Sequence, residues 1–583
     1  MEQSKIARPE YPRPDFQRER WMNLNGLWGF AFDDENIGEK QGWQNEEVPF
    51  ARKIVVPFCY QSQASGIFEK ELHENLWYRR VFDLPEELRK QRVLLRFGAV
   101  DTVARVWLNG VFLGEHHGGY STFDFDITET VKERGNVLVV KAEDSYECSK
   151  PRGKQHWGEH PDRCWYTATS GIWQTVWLEG VGEFYLDSMR LTPDVDRRCL
   201  DTEFYLNQFS EGLTLELKAF YQNKLVKQLF AAVDGRIFKL SLSIREEDFI
   251  DEIHYWTPEA PNLYDLEISL SQKGEQTDHV KSYFGMRKIS VSGNQILLNN
   301  RPYYQKLILD QGYWPESLMT PPDDRAIQRD ILLTKELGFN GARKHQKIED
   351  PRYYYWADRL GLLVWGEMPS GYAFDEEEIE SVTKEWMAFI KRDYNHPCII
   401  TWVPLNESWG VRNIYSDLRQ QAFGESLYQL TKALDSTRLI STNDGWEQVR
   451  SDLCGIHDYA EKGRSFRERY GDLERLLSAD AQRRMLYAQG YRYTGGPILI
   501  TEYGGIAFES TEEENWGYNS AVKNEEEFLN RYQDITGAIK DMSFVCGYCY
   551  TQLTDVEQVV NGLADANRNL KAAKKKILKI NQD

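Results

Sequence analysis

The feature that most constrains this chain is a pair of short apolar runs, far apart in sequence, that each end on a glutamate. Ile399 to Leu405 delivers Asn406-Glu407, and Ile498 to Thr501 delivers Glu502, which is followed by Tyr503-Gly504-Gly505. Apolar runs of this length, bounded by polar and glycine residues, predict buried parallel strands. A carboxylate has no packing reason to sit at the end of such a strand. In an α/β barrel, however, the C-terminal strand ends are where chemistry is placed. Either glutamate alone could simply cap a following helix. Two of them facing one mouth, one preceded by Asn and the other followed by Tyr-Gly-Gly, point to paired-carboxylate cleavage of a glycosidic bond.

A chain of 583 residues exceeds one ordinary core, so two to four domains are expected. No stretch approaches the apolar length of a membrane span. The formal charge of −20 would repel nucleic acid or an anionic membrane, so neither is an expected partner. The N-terminal MEQSKIARPEYPRPDF lacks the apolar segment of a secretory leader, and the cysteines show no framework spacing. Both features suggest a cytoplasmic protein. Cys546 and Cys549 form a C-x-x-C inside the apolar run Phe544–Leu553, with no second cysteine pair or His cluster, which reads as a packed strand rather than a zinc or redox site. The 18 Trp, 32 Tyr and 27 Phe supply flat faces of the kind that stack on sugar C–H surfaces.

Three regions follow in order. Residues 1–182 show short strands with turn signals. Val93–Phe97 and Val103–Trp107 alternate by two, and Asn109-Gly110 marks a hairpin. This is the pattern of a jelly-roll β-sandwich. Its long loop Pro151–Ser170, rich in Trp, His, Arg and Tyr, is a candidate functional segment. Residues 183–287 alternate cleanly, as in Leu213, Leu215, Leu217, Ala219 and Tyr221, and suit an immunoglobulin-like sandwich acting as a spacer. From residue 288 to 583 the rhythm becomes strand, helix, strand. Strands are expected at Tyr303–Leu309, Phe339–Arg343, Leu362–Glu367, the run to Glu407, Leu439–Thr442, Cys454–His457, Ile498–Glu502 and Phe544–Gln552, which is a TIM barrel. The piece between Tyr459 and Pro497 would be a loop over the mouth, and the basic tail Lys571–Lys579 an exposed outer helix.

With these residues in view, the chain resembles glycoside hydrolase family 2, the β-galactosidase, β-glucuronidase and β-mannosidase family, over nearly its whole length. Leu24-Asn25-Gly26-Leu27-Trp28, Trp77-Tyr78-Arg79-Arg80, Gly118-Gly119-Tyr120 and Ser170-Gly171-Ile172-Trp173 look like its sugar-binding domain. Trp256–Tyr264 and Phe284-Gly285-Met286-Arg287 look like its middle sandwich, and Asn406-Glu407 and Glu502-Tyr503-Gly504 like its catalytic motifs. The resemblance implies a retaining exo-glycosidase with Glu407 as acid/base, Glu502 as nucleophile and Asn406 on the sugar 2-hydroxyl. It also implies that Tyr459 orients the nucleophile. Asp310, Arg343, His345, Tyr550 and Trp446 are further substrate-binding candidates by position. No organic cofactor is implied, no oxygen cage for a metal is visible, and a homo-oligomer is compatible with the family.

Two departures bear on the sugar. The aspartate that several members place six residues before the Gly-Ile pair reads Trp165, which removes an acceptor for sugar hydroxyls. The Asn-x-Lys that grips a glucuronate carboxylate reads Val559-Val560-Asn561. The first departure counts against an ordinary β-galactosidase and the second against a β-glucuronidase; a β-galactoside is still the first expectation, on the make-up of the family alone. An α-L-arabinoside, β-mannoside, β-glucuronide or β-galacturonide follows. A glycosyl transferase using the same covalent intermediate remains open, and so does a non-catalytic sugar-binding protein on a degenerate barrel.

Overall fold

The computed structural model describes residues 6–45, 48–158, 160–245, 253–478, 480–481, 484–509 and 515–582. The start of the N-terminal stretch read above, Met1 to Lys5, lies outside the described residues.

The first region is a pair of antiparallel sheets. One has four strands (Trp21–Asn23, Val176–Val181, Arg92–Phe97, Phe123–Asp126) and the other six, with Asn75–Phe82 and Asn136–Glu143 at its centre. Alternate residues such as Leu76, Tyr78, Leu138, Val140, Val93 and Leu95 fill the space between them, as a period of two requires. The expected hairpin is present: Asn109 (φ 53°) and Gly110 (φ 79°) turn Val103–Leu108 back into Val111–His117. The middle region packs a three-stranded sheet against a four-stranded one around Leu213, Leu215, Leu217, Leu266 and Ile268.

The third region carries eight parallel strands. We label them β1 (Gln305–Asp310), β2 (Gly341–Lys344), β3 (Leu363–Glu367), β4 (Ile399–Val403), β5 (Leu439–Ile440), β6 (Cys454–Asp458), β7 (Ile498–Gly504) and β8 (Val545–Thr551). The ladder runs β5-β4-β3-β2-β1-β8-β7-β6. Among the described residues no backbone ladder joins β5 to β6. Side chains close that gap: Gln448 Nε2 donates to Gly455 O at 2.8 Å, and Thr501 Oγ1 donates to Asp444 Oδ1 at 3.0 Å.

Helices begin where a short acidic or amide side chain can satisfy their open N–H groups. Asp323 caps α1 (Asp324–Glu336), Asp350 caps α2 (Pro351–Leu360), Asp375 caps α3 (Glu376–Asp393) and Asp417 caps α4 (Leu418–Leu434). The segment after Tyr459, expected as a loop, holds α5 (Gly463–Tyr470) and α6 (Leu473–Ser478). Asn524 caps α7 (Glu525–Lys540). The last helix, α8 (Lys574–Gln582), is less exposed than its lysines suggest. Its Asn581 is fully buried, accepts from Tyr532 and Tyr548 and donates to Leu337 O. Among the described residues no helix is long and apolar enough to cross a membrane. All eight cysteines are free, and on β8 Cys546 is half-buried and bonds outward to Asn294 O while Cys549 is buried. Residues three apart on a strand point to opposite faces, so the two cannot share a metal.

Candidate active site

Arg343, at the end of β2, organises the barrel mouth. It is fully buried and must therefore be surrounded by compensating charge. Its Nη1 donates to Glu502 Oε1 at 2.7 Å, and its Nη2 donates to Asn406 Oδ1. Nη2 also lies 2.7 Å from Glu367 Oε2, at the end of β3, and 3.3 Å from Asp444 Oδ2, just beyond β5. One guanidinium thus ties together the ends of β2, β3, β7 and the extensions of β4 and β5.

His457, on β6, sits in the middle of the carboxylates. Its Nδ1 is 2.8 Å from Glu407 Oε1 and 3.6 Å from Glu502 Oε1, and its Nε2 is 3.2 Å from Asp444 Oδ2. Burial alone would depress its pKa, but Glu502, Asp444 and Glu407 outweigh it and hold the imidazolium up to about 10. Burial likewise acts to raise the pKa of Glu502. His457, Arg343 and the Tyr459 hydroxyl, which donates to Glu502 Oε2, reverse that and hold it at about 2. Burial with the charges of Glu502 and Asp444 lifts Glu367 to about 7 against the pull of Arg343.

Glu407 reaches the same point by a different route. It and Ser408 both adopt left-handed backbone, with φ of 52° and 58°, which costs a non-glycine residue about 1–3 kcal/mol. The turn is held because Glu407 N donates to Asp444 O at 2.9 Å and Ser408 N to Asn443 Oδ1 at 2.9 Å. Oxygens of Glu407 and Glu502 and a nitrogen of His457 all lie within 4.8 Å of one another. That set could suit a metal ion by distance alone. An imidazole charged at neutral pH, with a carboxylate on each nitrogen, has no lone pair to offer one, so the ion-pair reading fits better.

The other sequence candidates divide. Asn406 and Tyr459 stand in the centre. Asn406 Nδ2 is buried with no hydrogen-bond partner, a free donor beside both carboxylates. Tyr459 is stacked on Tyr518 at 3.9 Å and 6°. Trp446 meets His457 edge-on at 5.7 Å, and His345 lies close enough to Glu502 and His457 for their charges to act on it. Burial and the Lys154 cation push His345 well below the usual histidine range, so it is neutral.

Asp310 and Tyr550 are placed elsewhere. Asp310 accepts from Lys344 Nζ at 3.0 Å and from Gly312 N at 2.9 Å, in a separate ionic cluster. Tyr550 pairs in register with Tyr503, and both rings face α7: Tyr503 OH meets Thr536 Oγ1 at 2.9 Å, and Tyr550 packs edge-on against Tyr532 at 4.9 Å. Glu502 points to the opposite side of β7 from Tyr503, so the inward residue of β8 is Thr551, 3.2 Å from the Tyr459 hydroxyl. A one-residue offset in strand parity separates the two readings.

Sequence reasoning passed over Glu367, Asp444 and His457. Glu367 ends an apolar run (LVWGE), the same signal that singled out Glu407 and Glu502, so a wider use of that rule finds it, whereas Asp444 follows the polar Ser-Thr-Asn of LISTND and carries no such signal. His457 carried no comparable signal. The loop Pro151–Ser170 does reach the mouth: Trp165 Nε1 donates to the Tyr372 hydroxyl at 2.6 Å, and Trp165 packs 5.5 Å from Trp409, two residues past Glu407.

Three known sequence families match. They are "Glycosyl hydrolases family 2, sugar binding domain" over residues 21–178, "Glycosyl hydrolases family 2" over 185–287 and "Glycosyl hydrolases family 2, TIM barrel domain" over 289–582. A β-galactosidase of Thermoanaerobacter pseudethanolicus is 27% identical over 69% of this chain and 52% of its own length. A putative β-glucuronidase of Formosa agariphila is 26% identical over 73% of this chain and 51% of its own. The chain therefore spans about half the length of these two relatives. A β-glucuronidase of Paenibacillus borealis is 23% identical, with 90% and 89% covered. Among solved structures, the β-glucuronidase of Ruminococcus gnavus superposes with a TM-score of 0.79 at 20% identity, covering 98% of this chain and 99% of that one, a likeness of fold. With all three parts of the family's domain series matched in order, the chain belongs to glycosyl hydrolase family 2.

Proposed function

We propose that this protein is a retaining exo-glycosidase working by double displacement. The observation that carries the reading is the closeness of the two carboxylates, within 4.8 Å across the mouth. A retaining pair needs about 5–5.5 Å so that one carboxylate can attack directly, whereas an inverting pair needs room for a water between them.

In the first step a Glu502 oxygen forms a bond to the anomeric carbon as the bond to the leaving oxygen breaks. Glu407 delivers the proton that oxygen requires. In the second step water attacks the same carbon, gives its proton to Glu407, and the ester to Glu502 breaks. Arg343 and Tyr459 fix the two Glu502 oxygens, so little reorganisation is needed for attack. Asn406 Nδ2, unpartnered without substrate, suits the sugar 2-hydroxyl, and its other end is clamped by Arg343. His457 shares one proton with Glu407 and another with Asp444, so the mouth titrates as a coupled group rather than as isolated residues.

The galactoside expected from sequence and the glucuronide carried in the names of several relatives are both compatible with this core. A panel of 4-nitrophenyl β-galactoside, β-glucoside, β-mannoside, β-glucuronide and α-L-arabinosides tests the reading, with the anomer of the first product followed by NMR. Release of nitrophenol with retained configuration is the expected result. An inverted product, or no hydrolysis of any aryl glycoside, overturns it.

A further inference from the structure

Four lysines are buried among the described residues: Lys141, Lys154, Lys344 and Lys347. Three of them have carboxylate partners: Lys141 pairs with Glu143, Lys344 with Asp310 and Glu349, and Lys347 with Glu349. Lys154 is 2% exposed, and among the described residues it makes no ion pair. Its ammonium lies over the Trp409 ring, 4.7 Å from the centroid, and against the Cys164 thiol. A cation–π contact contributes about 0.5–2 kcal/mol, well short of the cost of desolvating an ammonium without a counter-ion.

Its position is not accidental. Lys154 comes from the loop of the first region, and that loop is pinned to the barrel. Arg152 N and Gly153 N both donate to Ser370 O, at 3.0 and 2.9 Å, and Tyr166 N donates to Lys154 O at 2.7 Å. Gly153 has φ of 60°, and a Cβ there would lie 2.1 Å from Gln346 O, so only glycine permits this approach. Around the ammonium, Trp409, Cys164 and Glu407 are half-buried, which places it at the wall of the open mouth. His345 feels the charges of both Lys154 and Glu502, and Cys164 those of both Lys154 and Glu407. Lys154 thus shares a neighbouring side chain with each member of the carboxylate pair, His345 with Glu502 and Cys164 with Glu407, and its ammonium lies over Trp409, two residues past Glu407.

We propose that Lys154 is a specificity-determining residue that docks an anionic substituent of the terminal sugar, so that the preferred substrates are acidic glycosides. The group is the carboxylate of a hexuronide or the sulfate ester of a sulfated sugar, and either would supply the missing counter-charge. A uronide would then be held by a lysine from the first region, at a different place in the chain from the absent lysine of Val559-Val560-Asn561.

The inference rests on the glycosidase reading, and one experiment separates the two. Wild type, Lys154→Met and Lys154→Arg are assayed on 4-nitrophenyl β-glucuronide, β-galacturonide, 6-sulfo-β-galactoside and the neutral β-galactoside and β-glucoside, with near-UV circular dichroism checking the fold. An acidic substrate is expected to have the highest kcat/KM. Lys154→Met should lower the acidic-to-neutral ratio by about 100-fold, chiefly through KM, with Lys154→Arg recovering part of it. Preference for the uronides assigns a carboxylate, and preference for the sulfo-sugar assigns a sulfate. A wild type that favours neutral glycosides, or a ratio that Lys154→Met leaves within about threefold of wild type, overturns the inference and leaves the glycosidase reading intact. No cleavage of any of the five substrates sinks the glycosidase reading itself.

Discussion

Two buried ionic clusters stand at the C-terminal ends of neighbouring barrel strands, and they differ in what they leave undone. In the cluster of Asp310, Lys344, Lys347 and Glu349, every charge is answered. Lys347 donates to Gly312 O, Met319 O and Glu349 at 2.7, 2.7 and 3.0 Å, and Glu349 also accepts from Asp350 N. In the cluster of Arg343, His457, Glu367, Asp444, Glu407 and Glu502, two cations face four carboxyl groups, and the donors are not all used. Among the described residues Asn406 Nδ2 has no hydrogen-bond partner and Lys154 makes no ion pair, and Glu407 stays half-buried. The first cluster is complete as it folds, whereas the second is complete only when something else arrives. Unfilled hydrogen-bonding capacity, rather than burial or charge density, is what separates a site from a brace.

The contrast can be broken most forcefully at Glu502. Replacing it by Gln should lower kcat on aryl glycosides by about 10⁴-fold while the melting temperature holds, because Arg343 keeps Glu367 and Asp444. Unaltered turnover would remove this cluster from the chemistry. The opposite pattern is expected at Lys347. Lys347→Met leaves Glu349 with half its compensation and should cost about 3–5 kcal/mol in denaturant unfolding, whereas Lys154→Met should cost about 1 kcal/mol or less. Equal losses from the two lysines would erase the distinction drawn above.

His457 tests the coupling. His457→Gln should lower kcat by about 100-fold and flatten the alkaline limb of the pH profile. Its pKa is raised from 6.5 to about 10, so its stabilising contribution is full below the lower value and fades as pH climbs through the upper one. On the acid side the signs reverse. Glu502 and Glu349 are both depressed from 4.5 to about 2, so their contributions hold above the first value and disappear as pH falls toward the second. Acid unfolding followed by circular dichroism should show a drop in that window, and Lys347→Met should shift its onset upward. The smallest effect is expected at Tyr550. Tyr550→Phe should change stability by about 1 kcal/mol or less and leave kcat/KM alone, since its ring is packed under α7. A large rise in KM would return that ring to the sugar.

Much of this was legible in the sequence because it depended on local pattern. Runs such as ILIT and IITWVPL begin where the strands begin, at Ile498 and Ile399, and stop within three residues of the strand ends at Gly504 and Val403, and Pro351–Leu360 is a helix over the residues its pattern predicts. The misplaced candidates share one cause. Tyr550 and Asp310 sit at strand ends where a one-residue shift exchanges the barrel axis for the helix layer, and a single sequence does not fix that parity. His457 and Lys154 are illegible for another reason. Their meaning lies in partners beyond any local period, 13 residues away for Asp444 and 50 for Glu407, or in the lack of one, and neither leaves a periodic trace.

The close approach of Gly153 to Gln346 has a practical reading for anyone who would re-engineer this protein. On the proposed reading, the reacting carboxylates and the lysine that selects among sugars come from different stretches of polypeptide, which share one core through Tyr120, Tyr166 and Trp173 and approach most closely at this glycine. Loops grafted between relatives could therefore change diet without disturbing chemistry, provided that glycine is carried with them. A barrel expressed alone would lose that grip and bare the part of its core that Tyr120, Tyr166 and Trp173 cover.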